Sequence, residues 1–263
     1  MVSTLLMLTA CASLLALLLR PFQVRAVRVL EGYWDRWPTT ARVAGVLTEI
    51  QRRKWEALRR QAGKVPADTA EGRVGADAQR RLALRPPAGV LLPTALGNAL
   101  RSGEISAGER YGLTTLTSWP RIFMQVSPRM SQTLGVTRDG LDAAVNLCWS
   151  FLATGLLSVV PLRDEPGARW FPAVMLAAAA VAYKGAVIAA QAYSGLMRVV
   201  YDLHRFDLLD ALHHRLPTKE EEREVFEQVS DTLVGEWVAD LAYDHHGVRN
   251  SHVHDADGAA DAQ

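Results

Sequence analysis

WFPAVMLAAAAVAYKGAVIAAQAYSGLM, residues 170–197, decides the fold class. It opens on Trp170 and Phe171, an aromatic pair suited to a membrane interface. Lys184 is its only full charge, and the run is long enough to cross about 30 Å of hydrocarbon. Ala178, Ala182 and Ala186 recur at four-residue spacing, with Gly185 and Ala189 alongside, and small residues so spaced let helices approach closely in lipid. Upstream, Leu141–Leu162 holds Asn146 and Trp149 but no charge after Asp142. The seven residues Arg163–Arg169 join the two runs through a Pro-Gly turn, too short for anything but an antiparallel helical hairpin.

A third apolar run occupies residues 1–19 and stops at Arg20. No basic residue precedes it, as a signal peptide would require, and its apolar character continues past the small-residue stretch Ala10-Cys11-Ala12. A membrane anchor fits it better, although it is barely long enough to span, and a start upstream of Met1 would lengthen it. The expectation is an all-α membrane protein with about three transmembrane helices plus cytoplasmic amphipathic helices. Its parts are residues 1–20 (helix one), 21–140 (a basic helical segment with a linker at 63–90), 141–162 (helix two), 163–169 (external loop), 170–197 (helix three), 198–243 (acidic helices) and 244–263 (a disordered tail).

Net charge of +1 conceals segregation. Residues 20–142 hold twenty Arg or Lys against eleven Asp or Glu, and residues 198–263 hold six against fifteen. Arg20, Arg25 and Arg28 follow the first run, Arg129 and Arg138 precede the second, and Arg198 and Arg205 follow the third. Positive flanks mark the cytoplasmic side, so the middle segment and tail are expected inside a cell membrane and the hairpin tip outside. Basic middle and acidic tail are then expected to attract each other, and the middle segment to favour anionic lipid. No reading motif supports nucleic acid as a partner. Arginine outnumbers lysine 25 to 4, which with the Ala-rich runs suggests a bacterial genome rich in G and C. Cys11 and Cys148 both lie in apolar runs and offer neither a disulfide framework nor a metal site.

Within the middle segment, Val43, Val46, Leu47 and Ile50 fall at helical spacing ahead of Arg52, Arg53 and Lys54. This amphipathic helix either docks on its neighbours or lies on the membrane surface. Residues 63–90, punctuated by Gly63, Pro66, Gly72, Gly75, Pro86, Pro87 and Gly89, read as a loop or linker. From Leu91 onward, apolar residues mix with Asn98, Arg101, Glu104, Glu109, Arg110 and Tyr111, and with glycines at 97, 103, 108 and 112 read as turn residues. Pro93-Thr94-Ala95-Leu96-Gly97-Asn98, Glu109-Arg110-Tyr111-Gly112-Leu113 and Trp119-Pro120-Arg121 resemble motifs of a group of uncharacterised bacterial multi-pass membrane proteins. Glu31-Gly32-Tyr33-Trp34 and Asp202-Leu203-His204-Arg205-Phe206 are similar to further motifs of that group. The resemblance implies a membrane topology and no reaction.

Candidate functional or ligand-binding residues are therefore Asn98, Glu109, Arg110, Asp202, His204 and Arg205, with Lys184 and Asn146 as intramembrane polar residues. Lys184 is either a helix-packing residue whose stem snorkels to the inner boundary or part of a conduction path, with Asn146 as its candidate partner. Arg198, Asp202 and Arg205 are spaced for an ion-pair ladder, on a helix expected to run to Pro217. Thr218 and Glu221 have capping-box spacing, and Phe226, Val229, Leu233 and Trp237 mark the apolar face of a following helix. His213-His214 is a poor chelate, and His245, His246, His252 and His254 sit in a polar end. No catalytic set, cofactor or metal site is expected. A non-enzymatic scaffold or signalling partner leads, with a second copy or another protein as its partner. A small oligomeric channel or transporter and a membrane-bound enzyme are the rivals.

Overall fold

The computed structural model describes residues 23–34, 38–63 and 70–236. The apolar run at 1–20 and the tail at 244–263 lie outside the described residues. Eight α-helices are described: α1 (Gln23–Glu31), α2 (Pro38–Ala62), α3 (Ala70–Ala83), α4 (Ala95–Ser106), α5 (Thr115–Phe123), α6 (Pro128–Ser158), α7 (Trp170–Ala211) and α8 (Glu222–Val234). Among the described residues the fold is all-helical, and α6 and the stretch Pro166–Ala211 are long and apolar enough to cross a membrane. Met1–Gly103 with Gln132–Leu196 forms one compact unit, and Glu104–Ser131 with Met197–Gln263 a second.

The first unit is built on the hairpin of α6 and α7. A Cβ placed on Gly155 would meet Leu176 at 3.2 Å and one on Gly185 would meet Ala144 at 4.0 Å, which fixes the antiparallel register. On α7 the buried line is Ala179, Ala186, Ala190, Tyr193 and Ser194, so of the small residues singled out in the sequence only Ala186 is fully buried. Against Leu141, Val145, Ala186 and Ala190 pack Leu96 and Ala99 of α4, with Val27 and Leu30 of α1 alongside. Residues 63–90 are not simply a linker: AEGRVGADAQRRLA is a helix, α3, whose Gly72, Gly75 and Ala78 are buried. Gly72 and Gly75, which read as breakers in the sequence, here join Ala78 at three-residue spacing and allow close packing with α2. Most of the apolar stripe of α2 is uncovered: Val43, Val46 and Ile50 are 53%, 63% and 42% exposed, while Leu47 is half-buried.

In the second unit the core is Tyr201, Leu208 and Leu209 of α7, Phe226 and Val229 of α8, and Leu113 and Ile122. Helix α7 continues unbroken through Met197 but ends at Ala211, short of Pro217. His213 adopts φ 57°, and its N–H and that of His214 reach back to the Asp210 and Leu209 carbonyls at 3.0 and 2.9 Å. That pattern is a Schellman cap, whose left-handed position normally holds glycine. His213→Gly is expected to raise the stability of this unit by about 1 kcal/mol, read as a higher denaturation midpoint. Half of the expected capping box is present, the Thr218 N–H donating to Glu221 Oε2 at 3.2 Å. The Thr218 hydroxyl and N–H, with Arg215 nearby, hold the Glu221 carboxyl below its ordinary value.

Candidate functional site

Arg110, Tyr111, Asp202, Arg205 and Glu222 meet in the second unit. A single 3-10 turn, Glu109–Tyr111, presents the first two. It is held by Gly112 at φ 92°, whose carbonyl accepts a hydrogen bond from Ser230 Oγ at 3.1 Å while Thr114 N–H donates to the same hydroxyl at 2.8 Å. A side chain at 112 would strike the Arg223 carbonyl at 2.7 Å, so the turn docks on α8 backbone to backbone. Beneath it, Thr115 Oγ1 donates to the Glu104 carbonyl and accepts from Gly108 N–H, at 2.8 and 3.1 Å. Tyr201 hydrogen-bonds Ser118 at 2.9 Å and stacks on Trp119, giving the Trp-Pro-Arg stretch a packing role.

Asp202 Oδ1 accepts from both Arg110 and the Tyr111 hydroxyl, the latter at 2.8 Å. Arg205 lies 4.3 Å from the Tyr111 ring centroid, donates through Nε to Glu222 Oε1 at 2.8 Å, and reaches the Asp202 carbonyl at 2.6 Å. Two cations and two anions thus neutralise one another around one aromatic ring. The expected ladder of Arg198, Asp202 and Arg205 does not form, because the Asp202 carboxylate is taken by Arg110 and the Arg205 guanidinium by Glu222. Arg110–Asp202 does join the basic middle to the acidic tail, but both side chains are partly in solvent. Apolar burial of Leu113 and Ile122 against Phe226 and Val229 therefore outweighs charge attraction in this unit.

The two pairs should differ in strength. Arg110 and Asp202 side chains are 40% and 39% exposed, and such pairs contribute about 0–1 kcal/mol. Arg205 and Glu222 are 17% and 21% exposed, and Arg205 makes two charge-assisted bonds plus a ring contact. Arg205→Ala is expected to cost about 2–3 kcal/mol and Arg110→Ala no more than about 1, both measured by denaturation of the detergent-solubilised full chain. Arg205→Lys should recover little, because an ammonium cannot reproduce the planar fork over the ring.

The other expected site residues have separate tasks. Glu109 opens the 3-10 turn, and its carbonyl accepts Gly112 N–H at 3.2 Å. His204 Nδ1 lies 2.7 Å from Asp207 Oδ2 on its own helix. Asn98 belongs to the first unit and is 4% exposed. Its Nδ2 donates to the Leu92 and Thr94 carbonyls and its Oδ1 accepts Leu92 N–H, all at 2.8 Å. Lys184 and Asn146 are both exposed on the hairpin and are not hydrogen-bonded to each other, because the register turns both away from the α6–α7 contact. No group of three or more His, Cys, Asp or Glu among the described residues could hold a metal, and His245, His246, His252 and His254 lie outside them.

Sequence reasoning missed Glu222 and Tyr183. The hydroxyl of Tyr183, in the midst of the apolar run of α7, accepts the Ala95 and Leu96 N–H groups at 3.1 and 3.2 Å. A phenol inside an apolar run was the available signal. No protein-family model, curated protein or solved structure matches this chain.

Proposed function

We propose that the chain is a multi-pass cell-membrane protein that acts as a non-enzymatic interaction platform at the inner membrane surface. The mutual neutralisation of Arg110, Asp202, Arg205 and Glu222 carries the non-enzymatic part. A carboxylate already accepting from Arg and Tyr is committed as an acceptor, and among the described residues no nucleophile-base pair stands beside it. Membrane insertion is supported by burial: only 22% and 17% of an apolar 18-residue window in each of the two stretches is buried, whereas a soluble core helix would be mostly enclosed. The charge flanks favour the hairpin tip outside and residues 21–140 and 198–243 inside. The exposed stripe of Val43, Val46 and Ile50, continued by Lys54 one turn on, suits the headgroup boundary of anionic lipid. The resemblance to motifs of uncharacterised bacterial multi-pass membrane proteins fits the same reading.

An interaction role is supported by α5. Leu116 and Met124 are 73% and 80% exposed and flank exposed Pro120 at four-residue spacing, an apolar ridge left uncovered by the described residues. Crosslinking of the full chain in its native membrane is expected to trap one defined species, either a second copy or a partner protein. The double substitution Leu116→Glu and Met124→Glu should remove it. A wild-type chain that yields no defined species would end this reading. The second reading, an oligomeric channel, draws on Lys184 and Asn146, whose exposed positions could line a path only between copies. Liposome flux insensitive to Lys184→Ala would dispose of it.

A further inference from the structure

We infer that Leu92–Gly103 is a re-entrant segment: the chain enters the inner leaflet, turns at Pro93-Thr94 and leaves as helix α4. This rests on the membrane reading above. At 1.5 Å rise per residue Tyr183 lies about 20 Å below Trp170, hence about 10 Å inside the inner edge of a 30 Å slab. The first two N–H groups of α4 donate to its hydroxyl. Further along, Ser194 Oγ donates to the Ala99 carbonyl at 3.1 Å, and a Cβ on Gly103 would sit 2.3 Å from that oxygen. Helix α4 therefore runs in the same direction as α7, its N-terminus deepest and its C-terminal half level with residues beyond the slab.

Hydrogen bonding in the turn matches what a dry environment demands. Of the N–H groups that a helix N-terminus leaves without helical partners, those of Ala95 and Leu96 go to Tyr183. That of Gly97 goes to Thr94 Oγ1 at 3.0 Å, and the helical ladder begins with Asn98 N–H on the Thr94 carbonyl at 3.1 Å. The preceding turn is treated the same way: Asn98 serves both backbone groups of Leu92 and the Thr94 carbonyl. In water such groups can also be left to solvent, whereas in hydrocarbon they cannot. Non-helical backbone at membrane depth occurs only where protein satisfies it, as here.

The test places a nitroxide at Leu92→Cys or Ala95→Cys in the full chain, free of its own cysteines, in liposomes. Collision with oxygen is compared with collision with a polar nickel chelate. Leu147→Cys and Ile188→Cys, exposed on α6 and α7, report the slab, and Arg81→Cys reports water. Either variant serves if the other does not fold. Re-entry predicts that 92 and 95 favour oxygen as 147 and 188 do. Nickel preference at 92 and 95 with oxygen preference at 147 and 188 would overturn re-entry alone. Nickel preference at all four would overturn the membrane reading and re-entry with it.

Discussion

Gly97→Ala is expected to destabilise the first unit by more than about 3 kcal/mol, enough to abolish recovery of folded chain from the membrane. The Cβ would lie 2.0 Å from the Glu31 carbonyl oxygen and 2.9 Å from its carbon. Neither atom can swing aside as a side chain would. Thr94 Oγ1 donates to that same carbonyl at 2.8 Å, and a Cβ on the next residue, Gly32 at φ 96°, would already touch the Pro93 ring at 2.6 Å. The end of α1 and the start of α4 must separate by more than an ångström. That breaks the Thr94–Glu31 bond, about 1 kcal/mol, and loosens Leu96 and Ala99 from Leu141, Val145, Ala186 and Ala190. Overpacking alone costs about 1–3 kcal/mol, and more where backbone must move.

Gly45→Ala is the matched control. Nothing lies within 4 Å of a Cβ there, and glycine inside a helix is worse than alanine by about 0.5–1 kcal/mol. The two substitutions should therefore shift the denaturation midpoint in opposite directions. Equal behaviour would refute the close approach of α1 and α4.

The hairpin was legible because length and charge depletion are properties of contiguous sequence, and a seven-residue joint leaves one geometry. Gly97 and Gly103 were not. Both read as turn residues, yet both lie inside α4, where they admit the Glu31 carbonyl and Ser194. Glycine for a turn and glycine for close approach are indistinguishable without the partner, and Glu31 is far away in the chain. Gly112 did read correctly, being at positive φ. The same limit governed the site. Arg198, Asp202 and Arg205 had ladder spacing, but spacing only shows which residues could pair on one helix. Arg110 and Glu222 arrive from elsewhere and take the partners. Residues 63–90 failed for a different reason: the glycines at 72 and 75 weaken an isolated helix, but together with Ala78 they suit one that packs on α2.

Asn98→Leu is expected to cost about 3–5 kcal/mol although it conserves volume. The substitution leaves the Leu92 N–H and C=O without their partner, and each buried orphan costs about 1–3 kcal/mol. The Thr94 carbonyl keeps the Asn98 N–H and suffers less. Asn98→Asp sharpens the test, because it preserves the acceptor for Leu92 N–H but aims a second oxygen at two carbonyls. The ionised form is disfavoured there by burial and by those dipoles, so the folded-state pKa of the new carboxyl rises above its unfolded value of about 4. Once protonated, that carboxyl can donate to one carbonyl. The penalty of Asn98→Asp is thus smallest below about pH 4 and grows as pH rises toward the folded pKa. Denaturation at pH 4 and pH 8, each relative to wild type, should show Asn98→Asp weaker at the higher pH and Asn98→Leu equally weak at both. If Asn98→Leu were as stable as wild type, water would be satisfying the Leu92 groups, and the turn could not lie in the dry interior that re-entry requires.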